Sequence, residues 1–124
     1  MATVSAVRLL VTEDGTLMAD GVESIYVVVV DGVYSGIDVC GPQAERQLLP
    51  LVGPTVWCLA RYLVANCGPA GEVVPIHRLA RALGVPTAKV RQSIKRGARF
   101  GMFDLAPGAV GVPRRWTDPK GKIR

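Results

Sequence analysis

The stretch from Pro75 to Phe103 constrains this chain most, because it sets two short amphipathic periods only three residues apart. Over Ile76 to Leu83, Leu79, Ala80 and Leu83 share one helical face, while Arg78 and Arg81 share the other. Over Thr87 to Phe100 the apolar stripe is Val90, Ile94 and Gly97 or Ala98. Gly84-Val85-Pro86 must reverse the chain between them, which needs the positive φ that glycine adopts without steric cost. Helices joined this tightly cross at close range. Ala80 must be small where the second helix passes over it, and Val90 must lock that helix to the first. A small residue, a glycine and a β-branched residue at this spacing mark a helix-turn-helix.

The flanks extend the pattern. Gly53-Pro54 opens a helix with proline at its favoured first position, and Val56, Leu59, Ala60 and Leu63 form its stripe. Trp57 and Tyr62 flank that stripe as core aromatics, and Cys67-Gly68-Pro69 ends the helix, with Gly68 as a left-handed cap. Downstream, Met102 to Leu105 and Val110 to Val112 pair across Ala106-Pro107-Gly108-Ala109 as a hairpin, the wing.

The segment Gly84-Val85-Pro86-Thr87-Ala88-Lys89-Val90-Arg91-Gln92-Ser93-Ile94-Lys95-Arg96 resembles the recognition segment of GntR-type winged-helix regulators. Gly71-Glu72-Val73-Val74-Pro75 resembles the short strand before that family's second helix, and Gly101-Met102-Phe103 the entry to its wing. The likeness runs from Pro54 to about Val112. Pro86 stands where the family has a serine cap, and Gly97 where it has a leucine, which would loosen the helix end. The family carries its winged helix first and an effector domain after it. Here that order is reversed, so the resemblance implies the fold more than the metabolite sensing.

The first half reads as β-structure. Val4 to Val11 is rich in β-branched and aliphatic residues, Glu13-Asp14-Gly15-Thr16 is a hairpin turn, and Ile25 to Val30 is a strong strand. Asp31-Gly32 is a second hairpin signal, with Val33 to Val39 returning and Gly36 at a bulge. The run from Ser24 to Val30 lacks alternation and is expected to be covered on both faces. Ala44 to Leu49 reads as a short helix stopped by Pro50. The fold class expected is α+β: a small N-terminal antiparallel β-sheet packed on a C-terminal winged helix-turn-helix. Residues 1–43 would be the sheet region, 44–53 a connector, 54–116 the winged helix and 117–124 a basic tail.

Charge divides the chain at the same place. Before Pro54 there are two basic and seven acidic residues, a net −5. From Pro54 onward there are thirteen basic and three acidic, a net +10. No acidic residue lies between Glu72 and Asp104, whereas a merely solvated helix would mix both signs. The expected partner is therefore double-stranded DNA, read in the major groove by the helix Thr87 to Phe100. Thr87, Ala88, Arg91, Gln92 and Lys95 are the candidate base contacts. Arg78, Arg81, Lys89, Arg96, Arg99, Arg114 and Arg115 are the candidate phosphate contacts. A transcription regulator is the leading expectation, as a homodimer joined outside Ile76 to Phe100, in the β-half. The alternative is a protein-interaction module docking through the winged helix or the acidic N-terminal half. The impression left by a composition rich in Ala, Gly, Val and Arg is of a phage or mobile element of a GC-rich bacterium.

Other chemistry finds little footing. His77 has no evident carboxylate or cysteine partner, and phosphate-binding glycine motifs are absent, so no enzyme, catalytic residue or cofactor is expected. Cys58 and Cys67 fall on opposite faces of one helix, and there is no Cys-x-x-Cys pair. Cys40, Cys58 and Cys67 thus read as small buried apolar residues, and no metal site is expected. No apolar run reaches the roughly 20 residues that span a bilayer, and Met1 to Val11 carries no signal-peptide pattern. The expected setting is cytoplasmic, with no membrane partner.

Overall fold

The computed structural model describes residues 8–30 and 36–116. Leu9–Val11 (β1) and Leu17–Ala19 (β2) pair across the expected turn, where Gly15 takes a φ of +87° and the Asp14 carboxylate accepts from the Thr12 hydroxyl and the Thr16 N–H. A second tight turn follows at Asp20-Gly21, with φ of +49° and +77°. It leads into Val22–Val30 (β3). Ile37–Asp38 (β4) precedes three helices, Pro42–Gln47 (α1), Leu49–Val52 (α2) and Pro54–Asn66 (α3). Glu72–Pro75 (β5), Ile76–Leu83 (α4) and Thr87–Arg99 (α5) come next. Asp104–Ala106 (β6) and Ala109–Pro113 (β7) form the expected hairpin, and Arg115–Trp116 (β8) follows.

The protein is mixed α+β, but its sheet is not confined to the N-terminal half. β3 pairs antiparallel with β2 through Val22 to Ser24, antiparallel with β5 through Ser24 to Val27, and parallel with β7 through Tyr26 to Val30. The reason lies in the backbone. A nine-residue strand has more N–H and C=O groups than a three-residue partner can satisfy, so β5 and β7 complete its ladders. The two halves therefore share one six-stranded sheet.

Cover of β3 differs from expectation in the same way. Ile25, Val27 and Val29 face the core, while Tyr26 and Val30 on the opposite face stay 37% and 44% exposed. A run without alternation in residue type thus alternates in burial, because α3 and α4 both pack on β3 from the core side. Tyr26 finds partial cover over Gly71, and its hydroxyl donates to the Ala70 carbonyl at 3.1 Å.

The start of the first strand, the Asp31-Gly32 turn and the tail 117–124 lie outside the described residues. Of the return strand Val33 to Val39, residues 33–35 also lie outside the described residues, and the described part is corrected: β4 pairs with β8, Ile37 opposite Trp116, and not with β3. Among the described residues, both sides of β3 are engaged at Val29. β7 takes one side, and the Val29 N–H on that stretch donates to the Gly68 carbonyl at 3.3 Å. Pro50 stops no helix either; it sits in the first turn of α2, where a missing N–H costs nothing. At the end of α3, Gly68 is not left-handed. Cys67 turns extended, with φ −116° and ψ 159°, and ends the helix.

The core gathers Val27 and Val29 of β3, Leu59 and Leu63 of α3, Leu79 of α4, Val90 of α5 and Trp116 of β8, all essentially without solvent contact. Each such aliphatic side chain contributes roughly 1.5–3 kcal/mol on burial. Gly97 is part of this packing. A Cβ there would lie 2.4 Å from two ring carbons of Phe103 and 3.2 Å from Val56. The glycine seats α5 against Phe103 and α3; it does not loosen the helix end.

Candidate nucleic-acid interface

The turn between α4 and α5 fixes how α5 is presented. Gly84 takes φ 68° and ψ 34°, the left-handed conformation expected of it. Its N–H donates to the Arg81 carbonyl at 3.3 Å and that of Val85 to the Ala80 carbonyl at 3.0 Å, which satisfies two carbonyls the helix end leaves open. Pro86 supplies no side-chain cap, but its carbonyl accepts from Lys89 and Val90 as α5 begins. Ala80, Val90 and Ile94 are buried between the helices, as their spacing requires. Ser93 was missed by sequence reasoning. It is 2% exposed and donates its hydroxyl back to the Lys89 carbonyl at 2.7 Å, which lets a polar residue sit on the buried stripe.

With Val90, Ser93, Ile94 and Gly97 turned inward, helical spacing places Ala88, Gln92, Lys95 and Arg99 along the outermost line of α5. All four are exposed, and Thr87 is half-buried in the first turn. Lys89 and Arg96 flank this line on the side of α2 and α3. Arg96 donates from Nε to the Val52 carbonyl at 2.9 Å and lies 5.2 Å over the Phe100 ring. Arg91 flanks it on the other side, toward β3. There its Nε and Nη2 grip the Glu23 carboxylate at 2.8 and 2.5 Å. This forked contact holds the Glu23 carboxyl below its usual range and raises the Arg91 guanidinium. The pairing spans 68 positions, and no local pattern announces it.

The remaining candidates are dispersed. Arg78 on α4 lies 3.8 Å from Glu72, and Arg81 on α4 is exposed. Arg114 and Arg115 do not trail the hairpin freely. The Arg114 N–H donates to the Val30 carbonyl at 3.1 Å, and Arg115 is paired in β8 and donates from Nη1 to the Gly36 carbonyl at 3.3 Å.

Of the cysteines, Cys67 is buried, and burial followed by the nearby Glu72 pushes its thiol up. Cys40 and Cys58 are exposed, contrary to expectation. Cys40 follows β4 in an exposed turn, and Cys58 lies off the buried stripe of α3. Among the described residues no group of three or more His, Cys, Asp or Glu gathers into a metal-binding cluster. No helix there is long and apolar enough to cross a membrane. Comparison with protein-family models, with curated proteins and with solved structures finds no match.

Proposed function

We propose that this chain is a winged helix-turn-helix protein that binds double-stranded DNA, with α5 in the major groove and the β6–β7 hairpin as its wing. The observation that carries the reading is the outward line Ala88, Gln92, Lys95 and Arg99, exposed, free of acid and fixed by a tight turn. The connectivity supports it, since α4, the turn, α5 and a hairpin follow in order. β5 and β7 belong to one sheet, joined through β3 between them.

Gln92 and Lys95 are the leading base contacts, Gln92 pairing with adenine and Lys95 with guanine acceptors. Thr87 and Ala88 enter the groove with the first turn. Lys89, Arg96 and Arg99 take phosphates beside the groove, with Arg78 and Arg81 reaching the backbone from α4. Arg91 can offer its Nε–Nη2 fork to a base only by exchanging Glu23 for DNA, so its contribution is smaller than its position alone suggests. The protein acts as a regulator rather than an enzyme, and as a homodimer. Leu9, Leu10 and Val11 of β1 are all exposed on a strand that, among the described residues, pairs only with β2, which supports assembly through that edge. The same exposed strand, beside the acidic turn Glu13-Asp14, favours docking to another protein as the second reading.

Selection from random duplexes tests the first reading. A recurrent motif, repeated about one helical turn apart if the protein is dimeric, is the expected result. Recovery of no motif, with no retention of any duplex, would favour the second.

A further inference from the structure

Alongside α5, on the side of Arg91, lies a groove of about 720 Å³ between the β1–β2 turn, β3 and the β6–β7 hairpin. Its floor is apolar and buried, built from Leu17, Ile25, Ile76, Ile94 and Val110 on five different elements. Four charged residues line it: Asp14, Glu23, Arg91 and Lys95. Both carboxylates are already engaged. Glu23 is held by the Arg91 fork, and Asp14 by the Thr12 hydroxyl and the Thr16 amide of its own turn. The cations are less fully used. Lys95 is exposed and forms no ion pair among the described residues, and Arg91 gives Glu23 only Nε and Nη2, which leaves Nη1. With Glu23 taken up on both oxygens and Asp14 tied through Oδ1 into its own turn, an apolar floor beside two cations with donors to spare suits an anion with an apolar body.

We propose that this groove is a binding site for a small organic carboxylate with an aromatic or branched aliphatic body. The body lies on Ile25, Ile94 and Val110, and the carboxylate accepts from Lys95 and from the free edge of Arg91. The volume falls within the roughly 300–1,000 Å³ of small-molecule sites, and an apolar lining with a few convergent polar groups is their usual composition. Over this floor a cationic ligand would meet the Arg91 guanidinium and the Lys95 ammonium, and a neutral one would gain no charge-assisted hydrogen bond from them. The site stands whether or not the protein binds DNA. If it does, ligand and duplex compete, because both use Lys95.

The test is titration of 2-naphthoate into the isotope-labelled full chain, followed by amide chemical shifts. Saturable shifts confined to the surroundings of Ile25, Ile94, Lys95 and Val110 are expected, with half-saturation at or below about 1 mM, the affinity a ligand of that size reaches at ordinary efficiency. Lys95→Ala should weaken binding about tenfold, as should the neutral 2-naphthamide, because each removes a charge-assisted hydrogen bond. Arg46→Ala, on α1 outside the groove, should bind as wild type, and well-dispersed spectra show that each variant is folded. No saturation by about 10 mM, well beyond that affinity, would overturn the proposal. So would shifts centred on the exposed β1 strand, or a Lys95→Ala variant that binds as tightly as wild type.

Discussion

Replacing Gly97 with alanine sets two opposed effects against each other, and the structure decides the sign. Alanine in a helix interior is favoured over glycine by about 1 kcal/mol. At Gly97, however, the new Cβ would meet the Cδ2 and Cε2 atoms of Phe103 at 2.4 Å and Val56 Cγ1 at 3.2 Å. Phe103 is itself buried, between α5 and the start of the β6–β7 hairpin, so its ring has little room to withdraw. Overpacking of this kind costs about 1–3 kcal/mol, and contact at such short range on two ring atoms belongs at or above the upper end. The net loss expected is about 2 kcal/mol, a fall in Tm of roughly 8 °C for a domain of this size. Urea unfolding should show a lower midpoint with an unchanged slope. Phe103→Leu introduced into Gly97→Ala should recover part of the loss, giving a coupling of at least about 1 kcal/mol in the double-mutant cycle. A Gly97→Ala protein as stable as wild type, or more so, would refute the reasoning. It would mean that glycine serves no close approach there and merely weakens the helix, as the contrast with a leucine-bearing family suggests.

Further expectations concern the Arg91–Glu23 pair and Trp116. The two side chains are 45% and 31% exposed, so Glu23→Gln should cost no more than about 1 kcal/mol, yet it should steepen the salt dependence of duplex binding by about one unit as Arg91 is freed. An unchanged salt slope would show that Glu23 does not restrain Arg91. Because the folded-state pKa of Glu23 is lowered, its stabilisation is present above the ordinary glutamate pKa of about 4.3 and is lost as pH falls below it. Urea midpoints of wild type and Glu23→Gln should therefore differ at pH 7, with the difference shrinking as pH falls below about 4.3 and through the lowered folded-state pKa; a difference that does not shrink on acidification would sink this account. Trp116→Phe removes a 2.6 Å hydrogen bond to the Phe100 carbonyl and should cost about 1–3 kcal/mol by denaturant unfolding, whereas no loss would show that β8 does not anchor the end of α5.

What was legible in the sequence is what local sterics dictate. Ala80, Gly84 and Val90 answer to a requirement contained within eleven residues, and α4 begins and ends where their spacing says it should. Gly15 and Gly108 mark turns for the same reason. Asp20-Gly21 is an Asp-Gly pair of the same kind as those at 14–15 and 31–32, and it turns the chain with a positive φ at both residues. The partners of β3 were not legible. Its parallel pairing with β7 joins segments about eighty residues apart, and a run of valines suits either a strand buried on both faces or one with an open face. The candidate site divides along the same line. The exposed line of α5 follows from its periodicity, but the Arg91–Glu23 fork and the seat of Phe103 on Gly97 depend on how distant elements are brought together.

The measurement that bears most directly on the central claim is a salt titration of binding to a selected duplex and to a scrambled duplex of equal composition, for wild type and Gln92→Ala. With Arg78, Arg81, Lys89, Arg96 and Arg99 on phosphates, log K should fall against log salt with a slope near −4.5, about 0.9 per contact. Gln92→Ala should lose about 1–3 kcal/mol on the selected duplex and nothing on the scrambled one. Absence of binding to either duplex near 50 mM salt, where phosphate contacts are strong, would contradict DNA recognition itself. Equal losses on both duplexes would contradict the placement of α5 in the major groove.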